Sequence, residues 1–203
     1  SENSGFTHMS NNTGCAVSVW FKLKPNKPEG EAYGTIFLAH TNAGLESLYL
    51  RFPFPSTNEE ASLYFGALSA TNNQYREWNI ENGSALFFEV GIWYHIFISW
   101  DGNFATSNPG FPAYVNGQLV DSNNYIGGGS GTSFRAAEKI AIGGDISRTD
   151  EKDRNFHGSI SHLAIWDNDM TGSHATVATQ LYNSGTPLAT ITQQSSDIAD
   201  FWL

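Results

Sequence analysis

Val17, Val19, Phe21 and Leu23 fall at every second position, with Ser18, Trp20 and Lys22 between them. A period of two belongs to the half-buried β-strand, whose successive side chains point to opposite faces. The pattern recurs along the chain. Leu48, Leu50, Phe52 and Phe54 alternate with Ser47, Tyr49, Arg51 and Pro53. Tyr94, Ile96, Ile98 and Trp100 share one face of another run. Pro53 lacks a ladder donor, so its strand ends there or lies at a sheet edge. Further strands are predicted over 34–40, 61–67, 75–80, 85–89, 113–121, 139–143, 157–166 and 197–203, with 61–67 and 75–80 forming a hairpin.

Turn chemistry separates these runs. Asn116-Gly117 between Tyr114-Val115 and Leu119-Val120 is the strongest local signal, because both central residues of a type I′ hairpin turn need positive φ. Asp101-Gly102 marks another turn, and the glycine-rich stretch 127–132 reads as a loop. One helix is predicted over 171–183, with Thr171 as its cap and Val177 and Leu181 four apart on one face. About a dozen short strands with one short helix near the C-terminus make an all-β, two-sheet antiparallel β-sandwich of jelly-roll type. The 203 residues suit a single domain spanning 1–203, either alone or as a module of a longer protein. The first residue is Ser1 rather than Met, which reads as a processed or excised form.

Charge narrows the partners. Charged residues are 15% of the chain and the net charge is −10, so phosphate backbones and anionic membrane surfaces are poor partners. No apolar run is long enough to span a membrane, and no signal peptide is visible. The one cysteine, Cys15, opens a predicted strand and reads as a small buried hydrophobe.

Catalytic patterns are missing. His95 and His162 sit within strands, where a hydrogen-bonded structural role is expected, and His8, His40, His157 and His174 lack metal-ligand spacing. There is no Gly-x-Ser-x-Gly elbow and no phosphate-cradling loop. Two regions suit a ligand instead. The stretch 145–155 holds Asp145, Asp150, Glu151, Asp153 and Asn155, oxygen donors of the kind calcium needs. Arg148, Lys152 and Arg154 in the same stretch offer the alternative of ordinary ion pairs in a solvated loop. The second region is a set of aromatics in polar surroundings: Tyr75 and Trp78 after Asn72-Asn73-Gln74, Tyr125 after Asn123-Asn124, and Phe104 in an Asn/Ser/Thr-rich loop. Sugars stack on such rings and hydrogen-bond to neighbouring amides. Tyr125 is expected to be exposed. Trp78, on a strand, is expected to be buried but is retained in the ligand-binding set.

The second half also carries an ordered series: Ile92-Trp93-Tyr94-His95, Trp100-Asp101-Gly102, Ala113-Tyr114-Val115-Asn116-Gly117, Ile140-Ala141-Ile142-Gly143-Gly144, Phe156-His157-Gly158-Ser159-Ile160, Leu163-Ala164-Ile165-Trp166-Asp167 and Leu181-Tyr182-Asn183-Ser184-Gly185-Thr186-Pro187. Over about residues 92–187 this resembles the laminin-G-like and pentraxin-like members of the concanavalin A-like lectin/glucanase superfamily. The resemblance implies a calcium loop at Asp145, Asp150, Asp153 and Asn155, with Asn42 and Glu46 as partner ligands. Ile146 and Ser147 depart from the acid/amide run that pentraxins carry there. The Glu-x-Asp-x-x-Glu strand of the superfamily's hydrolases is absent.

The expected function is a non-catalytic glycan-binding or adhesion module, calcium-assisted, meeting a glycan or cell-surface receptor in an extracellular, secreted or virion-surface setting. The alternative is a structural or assembly domain of a viral fibre, virion decoration or surface layer, whose apolar faces meet sister subunits. A third is an atypical polysaccharide hydrolase or lyase.

Overall fold

The computed structural model describes residues 14–25, 34–41, 45–52, 63–81, 88–104, 111–131, 133–137, 139–144, 155–166, 174–188 and 201–202, with backbone alone at 81, 121–126, 201 and 202. The alternation that opens the chain becomes β1 (Cys15–Leu23), whose Val17, Val19, Phe21 and Leu23 are all fully buried in the core. The remaining strands are β2 (Thr35–His40), β3 (Glu46–Arg51), β4 (Leu63–Leu68), β5 (Tyr75–Glu81), β6 (Trp93–Trp100), β7 (Ala113–Val115), β8 (Gln118–Gly127), β9 (Lys139–Ile142), β10 (Gly158–Trp166) and β11 (Phe201–Trp202). Their order is β11-β10-β1-β6-β7-β8-β5-β4-β3-β2-β9, and the ladders between these strands are antiparallel.

This ribbon folds over on itself at β8. Gln118, Leu119 and Val120 pair with β7, whereas positions from Asp121 to Gly127 pair with β5. β8 thus joins a first layer, β11-β10-β1-β6-β7, to a second, β5-β4-β3-β2-β9, of which it also forms the far edge. The β7–β8 turn is the expected Asn-Gly hairpin: φ is +50° at Asn116 and +75° at Gly117. The predicted 61–67 and 75–80 hairpin is β4 and β5, with Phe65 opposite Trp78. The predicted strand at 85–89 falls largely outside the described residues.

Rings from both layers fill the space between them. Trp100 of β6 meets Phe65 of β4 at 5.8 Å and Trp78 of β5 at 5.4 Å between ring centroids. Phe104 and Phe134 close on the same indole at 5.2 and 5.6 Å. Such pairs contribute about 0.5–1.5 kcal/mol each beyond the area they bury. A second group forms around Phe21, with Phe52 at 5.6 Å and Phe88 at 5.1 Å. Cys15 is fully buried, as its position at the head of β1 predicts.

The outer face of the first layer is covered by α1 (His174–Tyr182). Val177, Ala178 and Leu181 pack on Ala16, Phe97, Tyr114, Ala164 and Trp166. The expected cap Thr171 lies outside the described residues. At the helix end Tyr182 stacks on Trp20, with 5.7 Å between centroids, and lies 6.2 Å from the His95 ring. His95 is fully buried and its Nε2 lies 2.9 Å from Ser18 Oγ, so it has the structural, hydrogen-bonded role expected of it.

Burial pushes the His95 pKa down from its ordinary 6.5 to about 3. Above pH 6.5 the imidazole is neutral in both the folded and unfolded chain. As pH falls below that, the unfolded chain gains a proton that the folded one refuses, so stability is lost. Between pH 8 and 5 this costs the fold about 2 kcal/mol. Denaturant unfolding at the two pH values is expected to show that loss reduced by a similar amount in His95→Gln. Equal losses in the two proteins would remove His95 from the account.

Candidate functional site on the outer face of the second layer

The second layer leaves its outer face uncovered by α1, and alternation decides which side chains reach it. In β3, Leu48 and Leu50 enter the core, while Tyr49 and Arg51 point outward. Glu46 joins them through a bulge. Ala39 pairs with Leu48 but His40 pairs with Glu46, so one extra residue on β3 re-aims the glutamate. In β5, Trp78 and Ile80 enter the core, and Tyr75 and Glu77 lie on the outer side.

These outward residues form one network. Arg51 Nη1 meets Glu46 Oε2 at 3.2 Å, and Arg51 Nη2 meets Glu77 Oε1 at 2.8 Å. The guanidinium carbon lies 4.0 Å from the centroid of the Tyr49 ring, in cation–π geometry. The Tyr49 hydroxyl donates to the same Glu77 Oε1. The ring reaches β5 by lying across β4 at Gly66, where a Cβ would come within 2.0 Å of Tyr49 Cζ. The Tyr75 ring follows at 6.3 Å from that of Tyr49 and is partly exposed. An amide-rich rim continues from Tyr75: Asn72 Nδ2 donates to Gly128 O at 2.9 Å, and Arg135 Nη2 donates to Asn73 Oδ1.

Electrostatics holds the network in place. Burial pushes the Tyr49 phenol far above its ordinary range; Arg51 draws it back and Glu77 adds to the rise. Tyr49 is therefore a neutral hydrogen-bond donor rather than a nucleophile. Burial alone would lower the Arg51 pKa, but Tyr49, Glu46 and Glu77 outweigh it and hold the guanidinium above its usual value. The result is a fixed array of donors and acceptors beside an aromatic ring.

The residues expected from the sequence are dispersed. Tyr75 is on this face. Trp78 and Phe104 are not available to a ligand: Trp78 is 5% exposed and Phe104 is fully buried, both within the Trp100 group. The Phe104 ring lies against Trp100 and Trp78, and its backbone N–H donates to Gly131 O at 2.8 Å. Trp78 is three positions from Tyr75, an odd spacing that sends the two rings to opposite faces. The backbone of Tyr125 pairs with that of Trp78, and its side chain lies outside the description. Asn42, Asp145, Asp150 and Asp153 also lie outside the described residues. Glu46 and Asn155 do not share an ion. Asn155 bridges to Thr35 and Glu46 pairs with His40, at opposite ends of β2, roughly 16 Å apart along a strand rising about 3.3 Å per residue. Glu46 instead serves Arg51. Among the described residues no group of three or more His, Cys, Asp or Glu is placed to hold a metal.

Tyr49, Arg51 and Glu77 were not singled out beforehand, although the alternation of 47–54 already places Tyr49 and Arg51 on one side. What sequence could not show is that Gly66 lets the tyrosine cross a neighbouring strand to Glu77.

With fold and face described, the chain can be set beside known proteins. The laminin-G family of the concanavalin A-like lectin/glucanases superfamily matches residues 3–176, and the chain belongs to it. No curated protein matches the sequence. A Bacteroides ovatus protein provisionally assigned carbohydrate binding is similar in structure, with TM-score 0.54 and 15% identity; the match covers 94% of this chain and 45% of that one. Trypanosoma rangeli sialidase, in complex with 2,3-difluorosialic acid, aligns with TM-score 0.52 and 14% identity over 86% of this chain and 23% of its own. The chain thus spans less than half of either neighbour, and the likeness is one of fold.

Gly66→Ala is expected to destabilise the domain by about 1–3 kcal/mol through overpacking against Tyr49. In a Tyr49→Ala background the same change is expected to cost little, and unfolding of the four proteins as a double-mutant cycle reads the coupling. Additive effects would mean that the tyrosine does not lie over Gly66.

Proposed function

We propose that this domain is a non-catalytic glycan-binding module that reads sugars on the outer face of its second layer. The observation that carries the reading is the partly exposed Tyr75 ring set against the fixed Tyr49–Arg51–Glu46/Glu77 array. A sugar needs both parts: an apolar surface for its C–H face and oriented polar groups for its hydroxyls. The provisional carbohydrate-binding assignment of the Bacteroides ovatus neighbour agrees with this reading. Against catalysis, the two carboxylates are tied to one guanidinium, and the Glu46 side chain is only 7% exposed. A glycosidase of the usual kind needs two carboxylates that both reach the sugar ring. An extracellular or surface setting belongs to the same proposal.

A glycan array followed by calorimetry tests this. Tyr75→Ala is expected to weaken the best ligand about tenfold, the scale of one lost stacking contact, while the protein stays folded. An array blank with and without calcium would sink the reading. Calcium enters the proposal only through residues 145–155. Excess calcium over chelator is expected to raise the melting temperature by several degrees, at about 2.7 kcal/mol for a hundredfold excess over Kd, with the shift lost in Asp145→Ala. No shift would remove calcium.

One observation favours an assembly role as the second reading. Val90, Ile92 and Trp93 are 41, 47 and 39% exposed within four residues. Light scattering at micromolar concentration separates the two: a strict monomer would set assembly aside, and an oligomer dispersed by Trp93→Ser would favour it.

A further inference from the structure

We infer that the outer face of the second layer selects neutral glycans and discriminates against those carrying carboxylate or sulfate; this rests on the glycan-binding reading and specifies its ligand class. The outward positions described on β3, β4 and β5 carry one cation, Arg51, and two carboxylates, Glu46 and Glu77. The cation is spent. Its Nη1 is on Glu46 at 3.2 Å, its Nη2 is on Glu77 at 2.8 Å, and its plane is against Tyr49 at 4.0 Å. Arg76, also on β5, faces inward and donates from Nη1 to the Phe104 carbonyl.

Glu77 is left with capacity to spare. Its contacts with Tyr49 and Arg51 both fall on Oε1, and 23% of its side chain is exposed. Both of those contacts leave Oε2 out, and a carboxylate oxygen can only accept. A ligand that satisfies it must bring a donor, as a sugar hydroxyl does. An anionic substituent there brings a second negative charge and no donor. Among the described residues, Arg135 and Lys139 also border the face. Arg135 directs Nη2 to Asn73 at the rim. Lys139 is on β9, four strands from β5, which is about 19 Å at ~4.8 Å per strand and beyond a Debye length of about 10 Å. Selectivity here is repulsion of the wrong ligand as much as attraction of the right one.

The test is calorimetric titration of the whole chain with neutral hexose and pentose oligosaccharides and with matched series bearing uronic acid, sialic acid or sulfate. At about 0.05 M salt the neutral series is expected to bind on the order of tenfold more tightly, and the gap is expected to narrow as salt is raised to about 0.5 M. Glu77→Gln, which keeps an acceptor but removes the charge, is expected to narrow the gap at low salt by strengthening the anionic series. Anionic ligands binding as well as neutral ones, or a gap that ignores both salt and Glu77→Gln, would overturn the inference while leaving glycan binding intact. No binding by either series would bring down the glycan reading and this inference with it. The salt series uses the unaltered protein, so the inference stays testable even if Glu77→Gln fails to fold.

Discussion

Two layers of strands have no reason to stay face to face unless something between them is worth more together than apart. In this domain that is the ring packing around Trp100. The indole comes from β6 in the first layer and meets Phe65 and Trp78 from the second. Phe104 and Phe134 arrive on non-strand segments and shut the same end of the core. Interior packing is as dense as in an organic crystal, so a layer shift of even a methylene's width is felt throughout. The strand β8, which belongs to both layers, is the covalent counterpart of that contact.

With the inner faces committed, the outer ones take different fates. The first layer spends its outer face on α1, which covers Phe97, Tyr114 and Trp166. Among the described residues no helix covers the second layer, and its outward residues pack on one another. Tyr49 lies flat across Gly66, Arg51 lies on Tyr49, and both are anchored by Glu77. A charged group this enclosed is tolerable only when paired and hydrogen-bonded, and Arg51 meets that condition through two carboxylates.

The fold was legible because its signals are local. Period two at 17–23 and 47–52, Asn116-Gly117 and the Val177/Leu181 pair each act over a few residues, and all point to the same sandwich. The face was legible only in part. Tyr75 stands out as an aromatic in polar surroundings, whereas Glu46 is expected only as a calcium ligand through the family resemblance; their places on this face depend on register: which strand lies beside which, and where a bulge flips one position. An Asn/Ser/Thr-rich neighbourhood suggests solvent for Phe104, whereas its ring packs against Trp100, a contact between segments that composition does not encode. Trp78 shows the reverse, since strand alternation alone separates it from Tyr75.

Among the described residues α1 covers one layer and not the other, so the two outer faces differ. On the proposed reading each copy presents a single such recognition face, so a lone domain is monovalent there whatever its affinity. Grip on a dense glycan surface would then come from the number of copies tethered together and from the reach of what tethers them, since linked weak sites gain through effective concentration without any new contact. The covering helix therefore bears on valency as well as on stability.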